Sequence, residues 1–374
     1  MPVQIKEVAS RADLRRFVKF PFAIYKESRN WIPPLLMDEY GTLRRDKNPA
    51  FDHCDAKYWL ACKDGRVAGR IAGIVNRHYI EKWGRRYARF GWVDFIDDQA
   101  VVDGLFAAAE RWARERAMTG IHGPLGFTDL DREGMLVDGF NELGTAATIY
   151  NHPYYPTHLE RLGYEKDVDW LEFEVKVPDA IPEKADRIAK IVMQKASVTV
   201  LDAKRGKDLL PYAHEMFEVL NSAFADLYAF VPLTKRQSSM YIRQYLPFVL
   251  PDYTKILLDS RGKVAGFVIG MPSLSRALQK AKGRLLPFGF WHVLRALRTD
   301  NRYIDLYLGA IRPDLQGRGA DALLITEMCR SAMENGVLSA ETNIELEQNV
   351  KVRNHWKYFE SRQHKRRRCY IKKF

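Results

Sequence analysis

The chain has 374 residues, of which 47% are hydrophobic and 28% are charged. This composition is typical of a folded soluble protein, and it excludes predominantly disordered, collagen-like and coiled-coil classes. No segment approaches the roughly 18 apolar residues that a membrane-spanning helix needs. The first residues also lack the apolar core of a signal peptide. We therefore expect a cytoplasmic protein.

The cysteines, histidines and net charge narrow the chemistry further. Four cysteines and nine histidines show no spacing typical of a disulfide framework or a zinc site, so we expect reduced thiols and no metal. Lysine and arginine outnumber aspartate and glutamate by 59 to 47, a formal net charge of +12. A field of this sign attracts polyanions. Nucleic acid, anionic lipid headgroups and a phosphate-rich cofactor all remain candidates.

An internal repeat divides the chain into two halves. Residues 65–73 align with residues 262–270 at an offset of 197, and each copy is a turn followed by a β-branched strand. A second alignment, at an offset of 198, pairs Asn151–Tyr164 with Asn349–Arg362. Two matches at nearly one offset predict a duplicated domain, whereas chance similarity of short glycine-rich hairpins is the alternative.

The boundary between the halves is marked by Pro178 and Pro182, which follow a predicted strand. We therefore predict one domain over residues 1–177 and a second over residues 178–374. Strands alternate with helices inside each half. This order favours an α/β fold with mixed α+β sheets, built from two similar domains in tandem.

The segment Gln316-Gly317-Arg318-Gly319-Ala320 connects a predicted strand, Tyr303–Ile311, to a predicted helix. Two glycines let the backbone approach a ligand closely, and a helix start directs free N–H groups outward. Together they predict an anion-binding loop whose natural ligand is a diphosphate. The loop lacks the Lys-Ser/Thr pair of a P-loop and the third glycine of a dinucleotide fingerprint. A plain strand–helix connection is the alternative.

This loop resembles the Q/R-x-x-G-x-G/A signature of the GNAT N-acyltransferase superfamily, in which it holds the pyrophosphate of acyl-CoA. The resemblance continues through Asn349 and the aromatic run that begins at Trp356, which is similar to the family's Asn…Tyr helix beside the CoA thiol. It implies that acyl-CoA, as a co-substrate, contacts the strand end, the loop and the later asparagine. The residues concerned are Leu308, Gly309, Ala310, Gln316, Gly317, Arg318, Gly319, Ala320, Asp321 and Asn349.

Three features depart from the family pattern. Asp321 stands where glycine or alanine is usual, which places a carboxylate close to the expected phosphates. Trp356 stands where the family's general-acid tyrosine usually falls, and Tyr358 is the nearest substitute. No glycine loop follows the predicted strand Phe90–Ile96 of the first half. We therefore expect a degenerate first domain that binds no CoA and serves as a scaffold or shapes the acceptor site.

Acyl transfer to an amine needs a group that removes a proton from the amine. Asp305 and Tyr307 share one face of a predicted central strand, and Glu345 lies in the next predicted strand, where buried polar groups need a reason. We predict Asp305 or Glu345 as the base or water-holding group, and Tyr358 or Tyr307 as the proton donor to the departing thiolate. A backbone N–H near Leu308 to Ala310 would polarise the carbonyl. Structural hydrogen bonding is the alternative for each side chain.

Residues 271–300 form an insertion between two predicted strands. No acidic residue lies between Pro272 and Thr299, whereas basic residues alternate with large apolar ones. Such a stretch is typical of an interfacial segment on an anionic bilayer, so we predict a peripheral protein on the inner face of the cell membrane. Capping of a long acyl chain and ordinary packing are the alternatives. The basic residues are Arg276, Lys280, Lys282, Arg284, Arg295 and Arg298.

Further motifs resemble a group of bacterial tandem GNAT-like proteins to which ceramide synthases are similar in type. These enzymes join a fatty acyl chain from acyl-CoA to the amine of a sphingoid base. The resemblance implies transfer of a long acyl chain to a primary amine, such as a sphingoid base or another lipid amine. The motifs are Phe20-Pro21, Asn30-Trp31-Ile32-Pro33-Pro34, Lys47-Asn48-Pro49, Gly123-Pro124 and His364-Lys365-Arg366-Arg367-Arg368.

Two other functions stay open. Paired GNAT-like domains also serve aminoacyl-tRNA-dependent transfer, and a net charge of +12 would suit tRNA as a partner. A non-catalytic lipid- or nucleic-acid-binding protein on a GNAT-like scaffold is the second, and Asp321 and Trp356 favour it. The motifs of serine esterases and of His-Asp acyltransferases are absent from the chain.

Overall fold

The structure is a computed structural model that describes residues 2–181, 183, 187, 191, 193, 197–299 and 302–374. Pro182, at the predicted domain boundary, and Asp300, at the end of the predicted insertion, lie outside these residues. The chain divides into two compact units. Unit 1 is Met1–Leu171, Ser275–His292 and His364–Phe374, and unit 2 is Glu172–Leu274 and Val293–Gln363.

Unit 1 is built on a mixed sheet with the strand order β1-β2-β3-β4-β5-β14-β7, in which β6 also pairs with β14. Strands β4 and β5 are parallel, and β14 runs antiparallel to β5. The strands are β1 (Gln4–Glu7), β2 (Cys54–Lys63), β3 (Arg66–Asn76), β4 (Tyr87–Phe95), β5 (Gly120–Gly123), β6 (Met135–Asp138), β7 (Glu165–Lys176) and β14 (Ser361–Lys373).

Helices cover the two faces of this sheet. Alternation along β3 sends Ile71 to a core with Phe106 and Trp112 of α4, and Ala72 to a second core with Phe17 of α1. The β2–β3 turn uses Asp64 and Gly65 at φ values of 52° and 75°, as expected of a tight hairpin. The helices are α1 (Arg11–Ile24), α2 (Leu36–Thr42), α3 (Arg77–Trp83), α4 (Gln99–Glu115) and α5 (Tyr154–Arg161).

Unit 2 repeats this plan with the strand order β7-β12-β11-β10-β9-β8, in which β13 also pairs with β7. Strands β11 and β12 are parallel, and α11 packs Leu323 and Leu324 against Leu257 of β9 and Ala265 of β10. The strands are β8 (Val198–Val200), β9 (Thr254–Asp259), β10 (Val264–Pro272), β11 (Tyr303–Ile311), β12 (Ser339–Thr342) and β13 (Glu345–Leu346). The helices are α6 (Gly206–Leu209), α7 (Ala213–Ala223), α8 (Lys235–Tyr245), α11 (Ala320–Glu334) and α12 (Val350–Arg353).

The predicted insertion is helical. It contains α9 (Ser275–Ala281) and α10 (Gly289–Thr299), and β10 extends to Pro272 at its start. Residues 275–292 of this segment belong to unit 1, although the sequence places them in the second half. Among the described residues, no helix is both long and apolar enough to cross a membrane.

The predicted fold class, two similar α/β domains with mixed sheets, is confirmed. Two local predictions were wrong. The predicted strand that holds Glu345 is interrupted, because β12 ends at Thr342 and β13 begins at Glu345. The helix that the family resemblance implied between Asn349 and the aromatic run at Trp356 is short, since α12 ends at Arg353 and a 3-10 helix, Asn354–Tyr358, follows.

Candidate active site

The loop between β11 and α11 has the backbone geometry of an anion-binding site. Gly317 and Gly319 adopt φ values of 70° and 85°, which L-residues with side chains rarely take. Gly319 precedes α11 directly and contributes no capping side chain. Within the described part of the chain, no hydrogen-bond acceptor is found for the backbone N–H groups of Gly317, Gly319 and Ala320. The helix start therefore has room and free N–H groups for an anionic ligand, and anion binding at this loop stays a prediction.

The two parallel strands of unit 2 separate next to this loop. Their register runs from Tyr303 opposite Ser339 to Leu306 opposite Thr342, whereas β11 continues to Ile311 beside β10. The last contacts come from Asn343, whose backbone N–H donates to Leu306 O at 2.9 Å and whose Nδ2 donates to Tyr307 O at 3.0 Å. The strands thus open where Leu308 and the following residues were predicted to meet the thioester.

A β-bulge lies at the same point. Ile269 of β10 is opposite Leu308, but the next residue, Gly270, is opposite Leu306, so Tyr307 is the extra residue on β11. Bulges redirect side chains and are frequent beside active sites. Gly309 is exposed, and a Cβ added there would have no neighbour closer than 3.8 Å, so a ligand has room to approach the strand.

The four predicted catalytic residues lie in three places: Asp305 and Tyr307 are next to each other, Glu345 is bonded to Trp356, and Tyr358 is exposed. Asp305 is 5% exposed, and the Tyr307 hydroxyl lies 3.4 Å from its Oδ2. Glu345 accepts hydrogen bonds from Trp356 Nε1 at 2.8 Å and 3.1 Å. Tyr358 is 75% exposed, and the described residues show no hydrogen bond from its hydroxyl to either pair.

The carboxyl group of Glu345 has an unusual environment. Burial raises its pKa to about 7, and the hydrogen bond from the buried Trp356 partly opposes this rise. A group that is half ionised near neutral pH can both accept and return a proton, as general bases in active sites do. The tryptophan that replaces the family's tyrosine therefore holds the candidate base. Sequence reasoning missed this bond, because no local pattern links residues eleven positions apart.

Asp321 does not leave an isolated carboxylate beside the loop. Its Oδ2 lies 3.1 Å from His355 Nε2, and its Oδ1 accepts from Ala322 N–H at 3.0 Å. The hydrogen bond with His355 holds the pKa of Asp321 below its usual value. The aspartate thus occupies one helix N–H group and is paired with a cationic partner when His355 is protonated. His355 was not among the predicted site residues.

An apolar cavity of about 80 Å³ in unit 2 lies beside the Glu345–Trp356 pair. Its walls come from β7, β10, β11, β12, α11 and the 3-10 helix. The lining includes Val268, Leu306, Ile325, Met328, Ala340, Trp356 and Phe359. Such a wall accepts methylene groups and offers nothing to a charged group.

The equivalent junction in unit 1 is closed. The carboxylate of Asp98 accepts from Val101 N–H at 3.1 Å at the start of α4 and is paired with Lys63. Beyond the parallel pairing of β4 and β5, Leu125 N–H donates to Phe90 O at 2.8 Å. Gly91 lies so close that a Cβ there would be 2.4 Å from Leu125 O. The chain itself fills the space that stays open in unit 2.

The chain is similar in sequence to two curated proteins and in fold to a solved structure. The chain is 28% identical to protein YghO of Escherichia coli over 374 residues, which covers 98% of this chain and 95% of that protein. A tandem GNAT protein from the clavulanic acid biosynthesis pathway shares the fold with a TM-score of 0.53 and 15% identity, over 99% of this chain and 98% of that one. No protein-family model matches the chain.

The second curated relative is the bacterial ceramide synthase of Caulobacter vibrioides. It is 32% identical over 299 residues, which covers 78% of this chain and 76% of that enzyme. The GNAT-like fold that the resemblance of the loop implied is thereby confirmed. The chain belongs to the bacterial ceramide synthase family, and family and fold together support an N-acyltransferase activity.

Proposed function

We propose that the chain is an acyl-CoA-dependent N-acyltransferase that transfers a long acyl chain to the primary amine of a lipid, such as a sphingoid base. The observation that carries the proposal is the junction of β11 and α11, where unbonded N–H groups of Gly317, Gly319 and Ala320 meet an opened pair of parallel strands. A diphosphate fits the first feature and an extended thioester arm fits the second.

The residues of unit 2 fit the parts of this co-substrate. Gln316 to Asp321 would hold the diphosphate, Arg318 being an exposed cation of the loop. Leu308, Gly309 and Ala310 would lie along the arm, with Asn349 at the start of α12. The apolar cavity beside Trp356 would take methylene groups of the arm or of the acyl chain.

Acyl transfer in this site is a direct displacement. The neutral amine attacks the thioester carbonyl carbon, a C–N bond forms, and the C–S bond breaks. Glu345 is the preferred base, because its pKa of about 7 lets it take the proton that the amine loses. The departing thiolate takes a proton from Tyr307, which lies beside Asp305, or from the exposed Tyr358. A backbone N–H of Leu308 to Ala310 would stabilise the developing oxyanion.

The test is release of free thiol from acetyl-CoA and palmitoyl-CoA, with and without sphinganine. The expected result is sphinganine-dependent release from palmitoyl-CoA. A short soluble primary amine at the same concentration is the control for the acceptor. Release from acetyl-CoA alone would overturn the lipid substrate. No release from either thioester would favour the aminoacyl-tRNA-dependent or the non-catalytic alternative.

A further inference from the structure

The segment that follows α9 exposes three large apolar side chains. We call residues 282–292, which include the first turn of α10, the tip. Leu286, Phe288 and Trp291 of the tip are 77%, 72% and 63% exposed. Leu286 and Phe288 flank Pro287, and Trp291 follows on the first turn of α10. Such a concentration of exposed apolar surface is unusual in a soluble protein and marks a binding surface.

The base of the tip is firmly attached to unit 1. Ser275 Oγ donates to Gly144 O at 2.9 Å, and Gln279 Nε2 donates to Arg29 O at 2.8 Å. Gly283 accepts from Leu36 N–H at 2.9 Å and has a φ of 66°. A Cβ at Gly283 would lie 2.3 Å from Pro34 O, so only glycine allows this approach. The apolar side chains are therefore presented from a fixed base.

The charge around the tip has one sign. No acidic residue lies between Pro272 and Thr299. Lys280, Lys282 and Arg284 are exposed, and within the described part of the chain none of them has an ion-pair partner. Their charges are therefore available to an external anion. By contrast, the exposed cations Lys26 and Arg161 of unit 1 are each paired with a carboxylate.

We propose that the tip binds the surface of an anionic lipid bilayer. Leu286, Phe288 and Trp291 would enter the boundary between headgroups and acyl chains, and Lys280, Lys282 and Arg284 would lie at the level of the anionic headgroups. Charge complementarity selects this partner, and the apolar side chains distinguish it from nucleic acid. Leucine has no π face on which a base can stack. Bilayer binding needs no acyl transfer, so it goes beyond the proposed function and stands or falls separately.

The experiment is co-flotation of the full chain with phosphatidylcholine vesicles, with and without phosphatidylglycerol. Wild type should float with the anionic vesicles. The L286S/F288S/W291S variant should lose that flotation at every salt concentration. The K280E/K282E/R284E variant should lose it most at low salt, by more than about fivefold in partition coefficient for each reversed cation. All six side chains are exposed, so the thermal unfolding midpoints should stay at the wild-type value.

Two matched variants serve as controls. Leu210→Ser removes another exposed apolar side chain, 54% exposed in unit 2, and Arg66→Glu reverses an exposed cation at the β2–β3 turn. Both should float as wild type does. Undiminished flotation of the L286S/F288S/W291S variant would overturn the proposal. So would binding to tRNA, but not to vesicles, that is lost in the K280E/K282E/R284E variant.

Discussion

The two units join a strand to a helix in opposite ways. In unit 1, Asp98 places its carboxylate at the start of α4, where it accepts from Val101 N–H. In unit 2, Gly319 precedes α11 without a side chain, and within the described chain the N–H groups of Gly319 and Ala320 have no acceptor. An anionic side chain at a helix start occupies the position that an external anion would need. Unit 1 has thus filled internally the position that unit 2 leaves to a ligand.

The strands beside these helices also differ in how much space they leave for a ligand. Both units have a bulge in the strand before the helix, at Trp92 in β4 and at Tyr307 in β11. Near the bulge of unit 1, a Cβ at Gly91 would lie 2.4 Å from Leu125 O, whereas a Cβ at Gly309 of unit 2 would have no neighbour closer than 3.8 Å. On the proposed function, one fold would serve two uses, and a few residues at the junction would determine which one.

The largest effect is expected from placing a carboxylate at the start of α11 in unit 2, as Asp98 does at the start of α4 in unit 1. Gly319→Asp brings a carboxylate to the open helix start and a side chain to a φ of 85°. Hydrogen bonds to a charged group are each worth about 1.5–3 kcal/mol, so losing two of them should raise the KM for acyl-CoA by about 10²-fold or more. Steady-state thiol release measures this.

The matched control for Gly319→Asp is Gly336→Asp at the opposite end of α11. Gly336 also has a positive φ, 68°, and open space around its Cβ position. Both variants add a negative charge and a side chain at a positive φ, but Gly319→Asp does so at the start of α11 and Gly336→Asp beyond its end. Equal KM values for Gly319→Asp and Gly336→Asp would remove the loop from the proposed site.

The second expected effect tests whether proton transfer belongs to unit 2. Because the pKa of Glu345 is raised to about 7, its ionised, accepting form grows as pH rises through that value, and kcat should rise with it. Glu345→Gln should lower kcat by about 10²- to 10⁴-fold, the range of general-base contributions, and should abolish the rise. A pH profile of kcat from wild type and variant measures both. A variant with the wild-type profile would return Glu345 to a structural role.

The smallest effect is expected in unit 1. Asp98→Ala removes the helix cap, which should lower the free energy of unfolding by about 1 kcal/mol. The affinity for acyl-CoA should not change, because Leu125 still fills the space beside β4. Urea unfolding and the KM for acyl-CoA provide the two readouts. A second acyl-CoA site in this variant, detected by binding stoichiometry, would show that the cap alone excludes the ligand.

The sequence was sufficient for features that depend on local pattern. The hairpin turns, the alternation of strands and helices and the glycine loop before α11 all follow from residue types at fixed spacing, and each lies where it was predicted. The sequence also predicted that no glycine loop follows β4. Its structural counterpart, the cap made by Asp98, follows from an aspartate that stands directly before a helix.

Other features depend on pairs that are distant in the chain. Trp356 with Glu345 and His355 with Asp321 form contacts that no spacing predicts. The environment of Glu345 shows why the base was left open at the sequence level, since burial, which raises its pKa, is a property of the folded chain. The bulge at Tyr307 likewise interrupts the strict alternation from which Asp305 and Tyr307 were predicted to share one face of the strand.

The last strand, β14, has a consequence for how the chain can fold. Its residues Tyr370 to Lys373 pair with β5, so unit 1 receives an inner strand from the end of the chain. A ribosome would have released nearly all of unit 2 before unit 1 could complete its sheet. Until then the edge of β5 would be unpaired and prone to association with other chains. A fragment cut after residue 177 would lack this strand and keep the edge of β5 exposed, so residues 1–177 do not contain the whole of unit 1.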